Sequence, residues 1–196
     1  MRCDVLAVGT ELLLGQIVDT NSSWIGEQLA AHGISSHVQV KVGDNIDRIV
    51  AALRARFEES VAAFMCGGLV PTHDDLTREA IAQVMGVELE FHNSIADVIR
   101  ELFASRGRTM AENNLQQAMV PKGASIIAQT RGTAPGLMCP VLMNGKTKMG
   151  YAVPGVPHEM HDMMHRAILP DLVARSGVQA VIASKVLRTW GESESG

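Results

Sequence analysis

The first half of the chain alternates short apolar runs with longer segments in which apolar positions recur at helical spacing. Residues 5–9 and 61–66 are compact apolar runs typical of buried strands, and residues 34–42 carry apolar residues at alternating positions. The intervening segments predict helices from Asp19–Ser22 to Gly33, from Asp44 through Leu53, and from Asp74 or Asp75 to Gly86. Strands that alternate with helices in this way predict an α/β fold with a mostly parallel sheet.

The second half has a less regular pattern. The predicted elements are helices over 95–103 and 112–119, a strand over 124–127, strands over 137–142 and 146–153, and a methionine- and histidine-rich helix from Pro157 to about Leu169–Pro170. Asn144–Gly145 separates two apolar runs, which is the strongest short-range signal for a β-hairpin.

Composition narrows the range of partners. Aromatic residues make up only 4% of the chain, which disfavours a surface on which bases stack. The formal net charge of −4 and the isoelectric point near 6.0 oppose binding to a phosphate backbone, so no nucleic-acid partner is expected. No apolar run approaches the ~20 residues of a membrane span, and we expect no membrane association. The 3 cysteines include no CxxC pair, and we expect a reduced, cytoplasmic protein.

Candidate chemistry lies where the predicted strands end, because parallel α/β sheets bind ligands at the carboxyl ends of their strands. The segments there are Gly9–Glu11, Val42–Asp44, Gly67–Asp75 and Pro154–Pro157. Gly67 and Gly68 allow backbone amides to approach an anion, to which the following helix adds its positive dipole end. Asp74 and Asp75 suit helix capping, but one cap needs one aspartate, and the other is free to bind a divalent metal beside a phosphate.

Other motifs are absent or ambiguous. No lysine follows Gly67–Gly68 as in a P-loop, and no GxSxG motif of a serine hydrolase occurs. Asn113 and Asn114 open a predicted polar helix, where they either cap it and contact solvent or hydrogen-bond to a ribose or base.

Five sequence blocks together resemble the CinA (competence/damage-inducible protein A) family. They occur in order between residue 4 and about residue 190: GTELLLGQIVDTN at 9–21, GGLVPTHDDLT at 67–77, RTMAENNLQQA at 108–118, GTAPG at 132–136 and PGVPHEM at 154–160. The resemblance implies a molybdopterin-binding-like fold of the molybdopterin adenylyltransferase and gephyrin type. This is a three-layer αβα arrangement with a mostly parallel sheet and a small β-hairpin.

The resemblance also implies a domain organisation and an activity. Residues 1–170 would form the molybdopterin-binding-like domain and residues 171–196 a C-terminal strand and linker, without the amidase domain that usually follows in the family. The implied activity is metal-dependent hydrolysis of a nucleotide pyrophosphate, ADP-ribose giving AMP and ribose 5-phosphate. Because related folds self-associate, we expect a homodimer or homotrimer.

The expected roles fall on the strand ends and on the family motifs. Asp75 and Asp19 would be the catalytic residues and the ligands of a divalent metal, with Mg²⁺ the expected ion. The expected nucleotide- or phosphate-binding residues are Gly9, Thr10, Glu11, Asn21, Asp44, Gly67, Gly68, Thr72, His73, Asp74, Asn113, Asn114, Gly155 and Pro157. Within this set a metal would neutralise the pyrophosphate and glycine amides would orient it.

Val70 departs from the family motif, which has a glycine at that position. If the backbone there requires a positive φ, a valine is strained by about 1–3 kcal/mol, and its methyl groups would also stand beside the phosphates. Three functions therefore remain open. They are pyrophosphate hydrolysis, binding of molybdopterin or a nucleotide without turnover, and a structural role in competence or DNA uptake, which the lack of a basic patch disfavours.

Overall fold

A computed structural model describes residues 1–70, 76–130 and 132–177. Its strands are β1 (Cys3–Val8), β2 (Gln39–Val42), β3 (Ala62–Cys66), β4 (Leu89–Phe91), β5 (Met119–Pro121), β6 (Ser125–Ile127), β7 (Gly136–Met143) and β8 (Lys146–Val153). The main sheet has the order β2-β1-β3-β8-β7-β6. The first four strands in that order are parallel, and β7 and β6 are antiparallel to their neighbours.

Helices cover both faces of this sheet. They are α1 (Thr10–Leu13), α2 (Thr20–Ala31), α3 (Ile46–Glu59), α4 (Thr77–Met85), α5 (Asn93–Ser105), the 3₁₀-helix Glu112–Ala118, α6 (Pro157–Met163) and α7 (Leu169–Ser176). Successive side chains of β1 point to opposite faces, so Val5 packs with α2, α6 and α7 while Leu6 packs with α3, α4 and α5. The predicted three-layer αβα fold with a mostly parallel sheet is confirmed.

The predicted hairpin is also confirmed, and it belongs to the main sheet. Asn144 and Gly145 both have positive φ, +51° and +72°, as a tight two-residue turn between twisted strands requires. The hairpin pairs β7 with β8, and β8 continues the parallel part of the sheet beside β3. The chain thereby changes from parallel to antiparallel pairing within one sheet.

Several features differ from the sequence prediction. The short helix α1 and the two-stranded sheet of β4 and β5 were not predicted. Helix α4 begins at Thr77 with Leu76 in the N-cap position, so the expected capping by Asp74 or Asp75 is wrong. Thr77 instead directs its hydroxyl back to the Gly67 carbonyl, 3.0 Å away, which anchors the start of the helix to the glycine turn.

The helix after Pro157 does not end at Leu169–Pro170. A π-helical turn over Met164–Ile168 joins α6 directly to α7, and the Leu169 N–H donates to the Met164 carbonyl, five residues earlier. Pro170 has no N–H, and in an ordinary α-helix its ring would crowd a carbonyl of the preceding turn. The wider π turn ends just before this proline. Residues 171–176, expected in a C-terminal strand and linker, are therefore helical, and residues 178–196 lie outside the described residues.

Candidate functional site

A cleft of about 550 Å³ opens at the carboxyl ends of β1, β3 and β8. The predicted site residues that line it are Gly9, Glu11, Asp19, Asn21, Asp44, Gly67, Gly68, Gly155 and Pro157. Its other lining residues are Ala7, Val8, Leu12, Ile17, Val18, Thr20, Cys66, Val70 and Val156. The structure thus brings most of the predicted strand-end residues to one cavity.

The Gly67–Gly68 turn gives the cleft a bare backbone wall. Gly67 and Gly68 have φ of +102° and +67°, which side chains rarely adopt. A Cβ at Gly67 would overlap the Val8 carbonyl oxygen, and one at Gly68 would overlap the Thr77 hydroxyl. The Gly67 N–H donates to the Val153 carbonyl at 3.0 Å, so this amide is not free for an anion, contrary to expectation. No described residue accepts from the Gly68 N–H.

Asn21 holds two walls of the cleft together. Its amide nitrogen donates to the Gly155 carbonyl at 2.8 Å and to Cys66 Sγ at 3.3 Å. An amide nitrogen has two hydrogens, and both are used by these contacts. The structure therefore gives Asn21 a positioning role through its nitrogen and leaves only its oxygen for the predicted contact with a ligand.

Cys66 is a core residue at the base of the cleft. Burial raises the pKa of its thiol to about 12, and the hydrogen bond from Asn21 lowers it by less. The thiol is therefore protonated at neutral pH and a poor nucleophile. Its side chain belongs to the buried core that packs against α2 and α6.

Asp19 combines a structural and an available oxygen. It is the N-cap of α2, where Oδ1 accepts the Ser22 N–H at 2.9 Å. Among the residues that the structure describes, none donates to Oδ2. One oxygen thus fixes the start of the helix, and the residue also lines the cleft.

Asp44 is positioned by Thr10. The Thr10 N–H donates to Asp44 Oδ2 at 2.8 Å, and the Asp44 N–H donates to Thr10 Oγ1 at 3.0 Å. Thr10 does not itself line the cleft, so its expected contact with a ligand is replaced by this reciprocal pair. Glu11 folds back over Gly9, where a Cβ would lie 2.5 Å from Glu11 Oε1.

The described wall of the cleft is acidic. Glu11, Asp19 and Asp44 line it, and no lysine, arginine or histidine among the described residues does. An anionic ligand here requires a cation to offset repulsion between like charges. The described residues include no group of three or more side chains that could hold a metal ion by themselves.

Several predicted site residues are not in the described cleft. Thr72, His73, Asp74 and Asp75 lie outside the described residues, and their functional roles stay predictions. Asn113 and Asn114 lie in the 3₁₀-helix, which packs against α5, and neither lines the cleft. The Asn114 side-chain amide instead donates to the Ala111 carbonyl at 3.0 Å, and this helix has no side-chain cap.

Val70 lines the cleft without backbone strain. Among the described residues, Asn144 is the only non-glycine with a positive φ, so the expected strain at Val70 is wrong. The side chain is 42% exposed and lines the cleft. This position is consistent with the expectation that its methyl groups stand beside a bound phosphate.

An apolar rim was missed by the sequence analysis. Ile17 and Val18 line the cleft and are 52% and 84% exposed. The sequence did contain a signal for this rim. The two apolar residues directly precede Asp19 and fit neither a strand nor a helix pattern, which is unusual for core residues. The cleft therefore combines exposed apolar side chains with the carboxylates of Glu11, Asp19 and Asp44.

Comparison with known proteins identifies the family. A model of the family described as "probable molybdopterin binding domain" matches residues 4–174. The chain belongs to this family. The structure described as the protein CinA with unknown function from Thermoplasma acidophilum is 32% identical, has a TM-score of 0.76, and aligns over 88% of this chain and 97% of its own. The resemblance of the sequence to CinA is confirmed.

Two curated relatives give the same result. A "CinA-like protein" from Frankia casuarinae and a "putative competence-damage inducible protein" from Symbiobacterium thermophilum are each 42% identical over the whole chain. The chain spans 45% of the length of either relative.

A more distant structure has the same fold. It is the tungsten cofactor synthesizing protein MoaB from Pyrococcus furiosus, 18% identical with a TM-score of 0.58 over 89% of this chain and 93% of its own. At that identity the likeness is one of fold alone.

Proposed function

We propose that this domain binds a phosphate-bearing small molecule of the pterin or nucleotide class in the cleft. The observation that carries the proposal is the Gly67–Gly68 turn, whose bare backbone faces the cleft beside Gly155. Backbone without side chains lets an anion approach closely, which is typical of phosphate sites. The family to which the chain belongs supports a pterin or nucleotide as the organic part of the ligand.

The shape of the cleft supports the same class of ligand. The phosphate would lie against Gly68 and Gly155, and the apolar rim of Ile17 and Val18 would cover the heterocyclic part. Small-molecule sites commonly combine apolar walls with a few polar groups that orient the ligand. Asn21 would keep the Gly155 segment at its distance from β3 while the ligand binds.

Gly155→Ala tests this proposal directly. A Cβ at Gly155 would lie 3.6 Å from Gly67 Cα, which the fold tolerates, yet the methyl group would occupy the phosphate position. We expect affinity for AMP and ADP-ribose, measured by isothermal titration calorimetry, to fall at least about ten-fold with an unchanged melting temperature.

Gly123→Ala is the matched control. Gly123 has a φ of +85° and open space around it, and it does not line the cleft, so the alanine should lower stability without changing affinity. If AMP, ADP-ribose and a pterin phosphate all fail to bind or to raise the melting temperature, the proposal is wrong. Equal affinities in wild type and Gly155→Ala would also contradict it.

Hydrolysis of the pyrophosphate of ADP-ribose is the second candidate, and the acidic wall of the cleft favours it. Carboxylate oxygens are the donors that Mg²⁺ prefers, and Mg²⁺ usually binds through one or two carboxylates together with substrate phosphates. Asp19 would supply one such oxygen, Oδ2, and Asp75 is the second ligand expected from the sequence. A bound ion would neutralise charge on the pyrophosphate.

Product formation separates hydrolysis from binding. We expect AMP to form when ADP-ribose is incubated with the protein and Mg²⁺, and chromatography measures the product. AMP formation should be lost in Asp19→Asn and in Asp75→Asn. Asparagine is as good an N-cap as aspartate, so Asp19→Asn removes the charge and retains the start of α2. If ADP-ribose binds but no AMP forms with any divalent ion tested, the domain binds the nucleotide without hydrolysing it.

A further inference from the structure

Two helices that begin at the cleft are joined to each other about one turn beyond their first residues. Trp24 of α2 stacks on His161 of α6, with the ring centroids 3.8 Å apart and an angle of 23° between the planes. His165, in the π-helical turn that follows α6, meets the same indole at 84° with the centroids 5.4 Å apart. We call these three rings the Trp24 cluster. None of them lines the cleft.

The cluster connects the helices that carry two walls of the cleft. Thr20 and Pro157, the first residues of α2 and α6, line the cleft. Beside them, the Asn21 amide donates to the Gly155 carbonyl, which joins the same two walls at the cleft itself. A displacement of the imidazole from the indole therefore changes how α2 and α6 pack, and with it the separation of Asn21 from Gly155.

Protonation of the histidines acts against the stack. Burial lowers the pKa of His161, and the neighbouring His165 and His158 lower it further. The three histidines recur at intervals of three and four residues, so they share one stripe of the helix and repel one another when they are charged. Attraction between an imidazolium and the face of an indole acts in the opposite direction, but at one ring alone. The neutral form is therefore the one that the cluster favours.

Other titratable side chains lie on the elements that pack around the cluster. None of these described groups is a cause of the lowered pKa of His161, which leaves burial and the two neighbouring imidazoles. They are Asp19, Glu27 and His32 at α2, Glu159, Asp162 and Arg166 at α6 and the π-helical turn, Cys3 and Asp4 on β1, Tyr151 on β8, and Asp171 and Arg175 on α7.

We propose that the Trp24 cluster is a proton-sensitive joint between the two walls of the cleft, which holds them at binding distance while His161 is neutral and yields when it is protonated. This inference rests on the proposed function. The rings touch no ligand and act as positioning residues, through the starts of α2 and α6. Ligand affinity therefore falls as His161 takes up a proton. Because such coupling is reciprocal, a bound ligand lowers the pKa of His161 further.

ADP-ribose is the probe that tests this coupling. Its pyrophosphate has no group that titrates near neutral pH, whereas a terminal phosphate such as that of AMP has a pKa of about 6. We expect wild-type affinity, measured by isothermal titration calorimetry, to fall at least about five-fold between about pH 7.5 and about pH 5.5. His161→Phe keeps a ring against Trp24 but cannot take up a proton. Its affinity should equal that of the wild type at the higher pH and lose most of the pH dependence.

His37→Phe is the matched control. His37 is exposed in the segment before β2 and does not line the cleft, so the same substitution there should leave the pH dependence of affinity unchanged. Equal pH dependence in the wild type and in His161→Phe overturns this inference and leaves the proposed function standing. If ADP-ribose binds at no pH, the proposed function fails in its nucleotide form, and this inference fails with it.

The joint can also be observed without a ligand. The chain has 2 tryptophans, so in Trp190→Phe the indole emission comes from Trp24 alone. We expect this emission to change between the same two pH values, and the change to be absent when His161→Phe is added. Proton NMR of the histidine rings should place the pKa of His161 below its ordinary value of about 6.5. A higher pKa, or an emission that does not respond to pH, overturns the inference.

Discussion

Gly67→Ala is expected to lower the free energy of unfolding by roughly 3 kcal/mol or more, the largest effect of any single methyl group in the site. Two costs add at this position. The φ of +102° is unfavourable for alanine, and its Cβ would overlap the Val8 carbonyl oxygen, which is a backbone atom that cannot rotate away. Urea unfolding followed by circular dichroism measures the change.

Gly123→Ala separates these costs. Its φ of +85° is also positive, but nothing lies within 4 Å of the added Cβ, so only the backbone cost of about 1 kcal/mol should appear. If both alanine variants lose the same stability, the close approach of Gly67 to Val8 carries no energetic weight. The glycine would then be explained by its backbone angle alone.

Asp4→Asn is expected to destabilise the fold by about 3 kcal/mol. The substitution removes the negative charge of a buried carboxylate that pairs with a cation and accepts hydrogen bonds from buried donors. The Asp4 side chain is fully buried, and its carboxylate pairs with Arg2 at 2.7 Å. Oδ1 also accepts the N–H groups of His37 and Val38 at 3.0 and 3.3 Å, which ties the start of β1 to the segment before β2.

The same carboxylate predicts an acid dependence of stability. Burial acts to raise the pKa of Asp4, but the hydrogen bonds from Arg2, His37 and Val38 outweigh it and hold this pKa below its ordinary value. The unfolded chain therefore takes up the proton first as the pH falls. The stabilisation is complete above the unfolded pKa of about 3.9 and is lost as the pH falls through the lower folded value.

Unfolding free energies measured between neutral and acidic pH would show this loss in the wild type and its absence in Asp4→Asn. Asp97→Asn is the control, because Asp97 pairs with Arg100 on the exposed surface of α5 and such pairs contribute little. Identical pH profiles for wild type and Asp4→Asn would contradict the predicted role of Asp4.

The sequence predicted the elements whose signals are local. The apolar runs predicted at 5–9 and 61–66 correspond to the buried strands Cys3–Val8 and Ala62–Cys66, since both faces of these parallel strands are covered. Asn144–Gly145 forms its turn because both residues tolerate positive φ. The β4–β5 sheet was missed because its strands are only 3 residues each and they pair across the intervening helix α5. A short run whose partner is distant has no periodicity of its own to detect.

For the candidate site, the sequence predicted which segments converge but not the hydrogen bonds between them. Strand ends converge by the geometry of a parallel sheet, which is why Gly67 and Gly155 could be placed together from the sequence. The use of the Gly67 N–H by Val153 and the engagement of the Asn21 amide depend on the register of β3 and β8 and on packing.

The π-helical turn at Met164–Ile168 determines the phase of the chain that follows it. One extra residue in an α-helix rotates every later side chain by about 100°, since a turn takes 3.6 residues. The buried residues Met160, Leu169 and Leu172 do not fit one uninterrupted 3.6-residue repeat, but the wider turn returns the two leucines to the face that Met160 occupies. The hydrophobic stripe of α7 is thus set by an irregularity next to Pro170, and helices α6 and α7 present one continuous apolar surface to the sheet although their sequences are out of step.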